Sequence, residues 1–234
     1  MVDVDKAVIA RLKIGGENFE ILVDCEKAME FKQGKNIGLD KILASGTNVF
    51  SDVKKGEHAP ESTMNRLFGT NDKMQIAADI IKKGEVQLTV QYRNKLREEK
   101  RKNIIDIIHR NAIDPRTGLP HPAARIERAM EEAKIRIDEM KNAEEQVQSV
   151  VKDLREILPL KFETRQIAVK IPAQYSGNCV RVLKSYGKLL KDEWQNDGSL
   201  VAIVELPAGL QEEFFEKLNG LTHGDVETKI IATS

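Results

Sequence analysis

Phe68-Gly69-Thr70-Asn71-Asp72, followed by Ile80-Ile81-Lys82-Lys83-Gly84-Glu85-Val86-Gln87, decides how the first part of this chain is read. Asp72 has the short acceptor side chain that suits a helix N-cap. Ile76, Ile80 and Ile81 then share one helical face between Lys73 and Lys83. Gly84 is expected as the C′ stop, and Glu85 to Thr89 as a strand. Turn, helix and strand thus form one compact unit. Its lysines and glycine suit a surface that touches phosphate more than a pocket that performs a reaction.

Working back from this unit, Ala7 to Ile14 and Asn18 to Val23 flank Gly15-Gly16-Glu17, the pattern of a β-hairpin. Lys27 to Phe31 reads as a short helix ending near Gly34. Leu39, Ile42 and Leu43 mark a second one, stopped before Gly46. Val49 to Val53 reads as a strand with Lys54-Lys55-Gly56 as its turn, and Ser62 to Leu67 as a helix. Strands and helices therefore mix over residues 1–88, an α+β domain.

Working forward, the pattern changes. Val90 to Leu158 offers no convincing strand. Three amphipathic stripes replace it, on Tyr92 to Asn111, Ala123 to Met140 and Ala143 to Leu158. Single-striped helices need partners, so residues 89–160 are expected to form a three-helix bundle. The first helix is so polar from Arg93 to Lys102 that only its far half can be deeply buried. The loop Ile113 to Pro122 holds three prolines and a glycine, which no helix continues through. Beyond Leu158-Pro159-Leu160 alternation returns. A strand holding Phe162, Ile167, Val169 and Ile171, its alternation clean from Ile167, helix Tyr175 to Tyr186, strands Leu189 to Gln195 and Leu200 to Leu206 around Asn196-Asp197-Gly198, a helix opened by Pro207 and strand Gly224 to Ile231 follow. That order is βαββαβ, a ferredoxin-like domain over 161–234. Trp194 is expected as a packing anchor and Phe214-Phe215 as core. Three modules with modest cores suit an elongated adaptor better than an enzyme with one deep cleft.

Thirty-seven Lys and Arg balance thirty-seven Asp and Glu, so the formal net charge is zero. Any nucleic-acid contact must then come from local arrangement, not from bulk charge. The acidic start Met1-Val2-Asp3-Val4-Asp5 and the lack of a long apolar run point away from a signal peptide, a membrane span and a membrane partner. Cys25 and Cys179 are far apart with no CxxC, as in a cytoplasmic protein with reduced thiols.

Reaction machinery is thin. There is no phosphate-binding GxxxxGKS/T, no GxGxxG after a strand, no HExxH and no GxSxG. His58, His109, His121 and His223 are scattered, so no metal centre or cofactor is expected. Glu131-Glu132 and Glu144-Glu145 read as solvated faces, and Cys25 has no histidine nearby to activate it. Cations are the positive feature. Lys27, Lys32 and Lys35 surround the first helix, Lys54-Lys55-Gly56 is a cationic turn, and Arg66, Lys73, Lys82 and Lys83 surround Phe68-Gly69-Thr70.

Taken together these residues resemble the Shwachman–Bodian–Diamond syndrome protein family, ribosome maturation factors of archaea and eukaryotes. The resemblance rests on Phe68-Gly69-Thr70, Asp72 and Lys83-Gly84-Glu85-Val86-Gln87 in the first module. In the second it rests on Pro115, Thr117, Pro120 and Ile126-Glu127-Arg128-Ala129-Met130, and in the third on the ferredoxin-like order. The chain's length looks archaeal. The resemblance implies a non-enzymatic monomer without cofactor that binds large-subunit rRNA. With an elongation-factor-two-like GTPase it would promote release of the anti-association initiation factor six. Lys32, Lys54, Lys55, Arg66, Lys73 and Lys83 are the expected rRNA contacts, with Arg93, Lys95, Arg97 and Arg101 in second rank. An adaptor for an exosome-type nuclease is the alternative. An RNA-acting enzyme with a composite site is a third reading, which the missing acid, base and metal constellations disfavour.

Overall fold

A computed structural model of the chain describes residues 6–44 and 48–233. The expected helix stop before Gly46 and the reading of Met1 to Asp5 lie outside the described residues. Two compact units result, Met1–Leu96 and Arg97–Ser234.

In the first unit, β1 (Val8–Ile14) and β2 (Glu17–Val23) form the expected hairpin in register from Val8↔Val23 to Ile14↔Glu17. Its turn needs two left-handed residues, which Gly15 and Gly16 supply at φ 60° and 86°. Then come α1 (Cys25–Lys32), a single 3₁₀ turn at Leu39–Lys41, β3 (Phe50–Asp52), β4 (Glu57–His58), α2 (Glu61–Phe68), α3 (Lys73–Lys83) and β5 (Glu85–Val86). The sheet order is β4-β3-β2-β1-β5, antiparallel throughout. Its core gathers Phe19, Ile21, Val23, Ile42, Met64, Ile76, Ile80 and Ile81. Buried Glu20 on β2 accepts from Arg11 Nε on β1 at 2.6 Å and from Val53 N at 2.9 Å, which ties three segments together.

The Phe68–Asp72 stretch closes this unit as read, with one correction. Gly69 ends α2 in the left-handed region, φ 71°. Phe68 packs edge-on against Phe19, centroids 4.9 Å apart. Asp72 caps α3 by accepting from Met74 N at 2.9 Å. Asp72→Ala is therefore expected to lower stability by about 1 kcal/mol, read by chemical denaturation. Gly84, however, is not a left-handed stop: its φ is −90°. What excludes a side chain there is space. A Cβ would lie 2.2 Å from the Arg11 carbonyl oxygen and 2.4 Å from that of Ile80.

From the first unit α4 (Val90–Asn111) leads into the second, which continues with β6 (Ala112–Ile113), α5 (Ala123–Glu132), α6 (Ala143–Leu154), β7 (Lys161–Phe162), β8 (Thr164–Ile171), α7 (Ala173–Tyr186), β9 (Lys188–Trp194), β10 (Leu200–Pro207), a 3₁₀ turn at Ala208–Leu210, α8 (Gln211–Thr222) and β11 (Glu227–Thr233). Ile104, Ile105 and Ile108 of α4, Ile126 and Met130 of α5, and Val147, Val150, Val151 and Leu154 of α6 share one core. The C-terminal sheet has the order β11-β8-β10-β9, antiparallel, and α7 and α8 cover one face over Ile167, Val169, Ile171, Leu183, Val204, Phe214 and Leu218. The chain is thus α+β, with a mixed N-terminal domain, a helical centre and a ferredoxin-like end.

Four expectations about this part are corrected. Residues 90–158 do contain a strand, β6, which pairs with β7 at Ala112↔Phe162. The second helix stops at Glu132, not Met140. Lys134 takes φ 51°, Lys134 N bonds Glu131 O at 3.0 Å and Ile135 N bonds Met130 O at 3.0 Å. That is a Schellman turn with lysine in the usual glycine position. Ile137 still reaches the core, but Met140 is 76% exposed. The third helix ends at Leu154. Trp194 is 54% exposed although it shares a sheet face with its buried cross-strand partner Leu200, because it ends β9, the edge strand.

The bundle and the C-terminal sheet keep separate cores yet belong to one compact unit. Polar and backbone contacts join them. Arg165 donates to Glu163 Oε1 at 3.0 Å, to Gln211 Oε1 at 2.6 Å and to the Gly118 carbonyl at 3.2 Å. Gly209 approaches the His109 and Arg110 carbonyls so closely that a Cβ would lie 2.3 and 2.5 Å from them.

Candidate nucleic-acid interface

A phosphate-binding surface needs cations that are not already neutralised. In the first unit the expected residues divide sharply on this criterion. Lys32, in the last turn of α1, donates its ammonium to the Gly84 carbonyl at 2.5 Å and so caps the end of α3. Beside it Lys82 lies over the Phe31 ring, 5.2 Å from the centroid. Lys83 pairs with Asp79 one helical turn earlier, at 2.9 Å. Lys55 pairs with Asp52 at 3.6 Å across the β3–β4 turn. Lys54, Arg66 and Lys73 have no side-chain partner among the described residues.

Nor do the six residues converge on one spot. Arg66 and Lys73 flank the Phe68–Asp72 turn at the start of α3. Lys83 and Lys32 sit at its far end, about 15 Å away along the axis at helical rise. Lys54 and Lys55 stand on the turn between β3 and β4, at the sheet edge. The structure therefore offers two cationic places with unneutralised charge, the α2–α3 corner and the β3–β4 turn.

The second-rank residues all lie on α4. Arg93 is exposed, and Lys95 forms an ion pair with Glu26 of α1. Arg97 grips Glu139 in bidentate fashion, Nε to Oε2 at 2.9 Å and Nη2 to Oε1 at 3.1 Å. Glu139's hydrogen bonds, then its charge, lift the Arg97 guanidinium pKa further above its ordinary value. Arg101 has only a long pair with Glu98, 3.8 Å.

Residue-by-residue reading missed two groupings. Arg136 stands in the loop after the Schellman turn, beside Arg97 and Arg101. A helix drawn through Met140 concealed it. His109 and His121, scattered in sequence, meet in the second unit. His109 Nδ1 donates to the His121 carbonyl at 2.7 Å, and buried His121 donates Nε2–H to the Pro159 carbonyl at 2.7 Å. Both rings act as struts for the Pro-rich loop. Cys25 and Cys179 are both free and buried, and burial pushes the Cys179 thiol pKa up. Among the described residues no three His, Cys, Asp or Glu are grouped to hold a metal, and no helix is long and apolar enough to cross a membrane.

Comparison with known proteins covers nearly all of the chain. Residues 6–94 match the profile of the Shwachman-Bodian-Diamond syndrome (SBDS) N-terminal domain, residues 102–163 that of SBDS protein, domain II, and residues 165–233 that of the SBDS protein C-terminal domain. The chain is 45% identical over 232 residues to a "Ribosome maturation protein SDO1 homolog" of Methanothermobacter thermautotrophicus, covering 99% of this chain and 100% of the relative. It is 39% identical over 223 residues to the protein of the same name from Aeropyrum pernix, 95% of each. To the "Ribosome maturation protein SBDS" of Xenopus laevis it is 26% identical over 231 residues, 99% of this chain and 92% of the relative.

Proposed function

The chain belongs to the SBDS protein family as an archaeal-type member, and from that premise we propose that it is a ribosome maturation factor that grips large-subunit rRNA and makes or breaks no bond itself. It would work in the cytoplasm as a monomer, with domains 1–88, 89–160 and 161–234. With an elongation-factor-two-like GTPase it would promote release of initiation factor six. A ligand biases such a partner only through different affinities for its states. The reading is carried by one observation: end-to-end similarity to proteins named for ribosome maturation, with Lys54, Arg66 and Lys73 unneutralised on a near-neutral chain.

Phosphate contacts of this kind release counterions, so affinity must fall with salt. Lys54→Glu, Arg66→Glu and Lys73→Glu combined should weaken co-sedimentation with large ribosomal subunits at least about tenfold in dilute salt. The slope of log affinity against log salt should flatten by up to about three. Lys32 and Lys83, already engaged, should matter less. A wild-type protein that ignores large subunits even in dilute salt would defeat the proposal.

A further inference from the structure

The Schellman turn at Lys134 sends Ile135, Arg136 and Ile137 alongside the N-terminal half of α4, and a cleft of about 330 Å³ opens between them. Arg97, Glu98 and Arg101 form its helical wall. Three arginines thus face one glutamate within a volume at the lower end of the roughly 300–1,000 Å³ of small-ligand sites.

The arginines are not equivalent. Arg97 holds Glu139 with two hydrogen bonds and so fixes the far end of the loop. Its charge is used. Arg101 is the unusual one. Its side chain is only 23% exposed, yet the acidic group it pairs with, Glu98, is 3.8 Å away, beyond hydrogen-bond reach. Its nitrogens are not sealed from solvent, for among the described residues the one buried side-chain polar atom left without a partner is Ser199 Oγ. A half-buried arginine side chain therefore presents N–H donors that no acceptor among the described residues uses, open to the cleft. Arg136, exposed on the opposite wall, has no partner among the described residues. Half-buried Ile135, with the exposed edge of buried Ile137, adds a small apolar surface between them.

We infer that this cleft receives one unpaired nucleotide of an RNA loop, its phosphate held by Arg101 and Arg136 and its base laid against the guanidinium planes and the two isoleucines. An acidic side chain would use the charges but gain nothing from the apolar surface. A base has a flat face that guanidinium planes stack on, and a phosphate that matches their paired donors. A duplex would present phosphates but keep its bases stacked away. The inference extends the rRNA reading above to a second contact, on the second unit.

The test uses the full chain and a short fluorescein-labelled RNA, as a single strand and as a duplex, with anisotropy as readout. Arg101→Gln and Arg136→Gln should each weaken single-strand binding about tenfold, with little effect on duplex binding. Arg128→Gln, an exposed change on α5 outside the cleft, should leave both alone. Arg101→Lys should keep the salt slope but lose part of the affinity, because lysine keeps charge and loses the plane. Crosslinking of a 4-thiouridine-substituted RNA should map to residues 134–137. Equal losses in Arg128→Gln and Arg136→Gln would overturn the inference in favour of diffuse charge. A glutamate-rich peptide that displaces the RNA and depends on the same arginines would overturn it in favour of an acidic protein partner. If the cleft variants bind RNA normally while the Lys54/Arg66/Lys73 reversal loses large subunits, the cleft is wrong and the wider function stands.

Discussion

Arg165→Ala is expected to destabilise the second unit by about 3–5 kcal/mol, the range for removing one partner of a buried ion pair. Arg165 and Glu163 side chains are 12% and 8% exposed, and the arginine also serves the Gly118 carbonyl and Gln211 at the start of α8. Its loss leaves Glu163 with Lys161 alone, at 2.5 Å, and strips a carbonyl of the Pro-rich loop. The effect should be pH-dependent. Hydrogen bonds from Lys161 and then Arg165 lower the Glu163 pKa below its ordinary 4.5. A carboxylate with a depressed folded-state pKa contributes its stability fully above the unfolded value and loses it as pH falls through the folded one. The advantage of wild type over Glu163→Gln should therefore be complete at neutral pH and fade below about 4.5. Urea unfolding followed by circular dichroism measures both effects. A change under about 1 kcal/mol for Arg165→Ala would show that the two cores are joined elsewhere.

Gly84→Ala should cost about 3 kcal/mol, although alanine is at ease at φ −90°. The new methyl group would meet two backbone oxygens, of Arg11 and Ile80, at 2.2 and 2.4 Å. Backbone cannot step aside like the end of a flexible side chain, so β1 and α3 must separate. The same change at Gly177, within α7, meets nothing within 4 Å. There it should stabilise by about 0.5–1 kcal/mol, because glycine is a poor helix former. Opposite signs for one substitution would separate steric exclusion from helix propensity in a single pair of melts.

Much of the fold was legible because short-range physics decided it. Gly15-Gly16 demands a primed turn whatever surrounds it, and Asp72 caps α3 with its own side chain. The βαββαβ order needs only alternation and one strong turn, Asn196-Asp197-Gly198. Errors arose where a local pattern had two outcomes. The 3.6-residue stripe runs on from Met130 through Ala133 and Ile137, so nothing in it announces a left-handed Lys134. Strand β6 is two residues long and exists only because β7 pairs with it. The candidate site was less legible than the fold. Lysines read alike in sequence, but only their acceptors, Gly84 O for Lys32 or Asp79 for Lys83, separate engaged charges from available ones.

By itself the chain of residues determined most of its elements, their order and the α+β class, because turns, caps and periodicity act over a few neighbouring residues, and its motifs carried the family resemblance. Tertiary structure alone decided which cations are spent within the protein, that the helical centre and the ferredoxin-like end form one compact unit, and that Arg101 and Arg136 face a common cleft. Those outcomes depend on partners far apart in the chain. Arg165 and Gly118 are brought together only by folding, and no local pattern carries the distance between them.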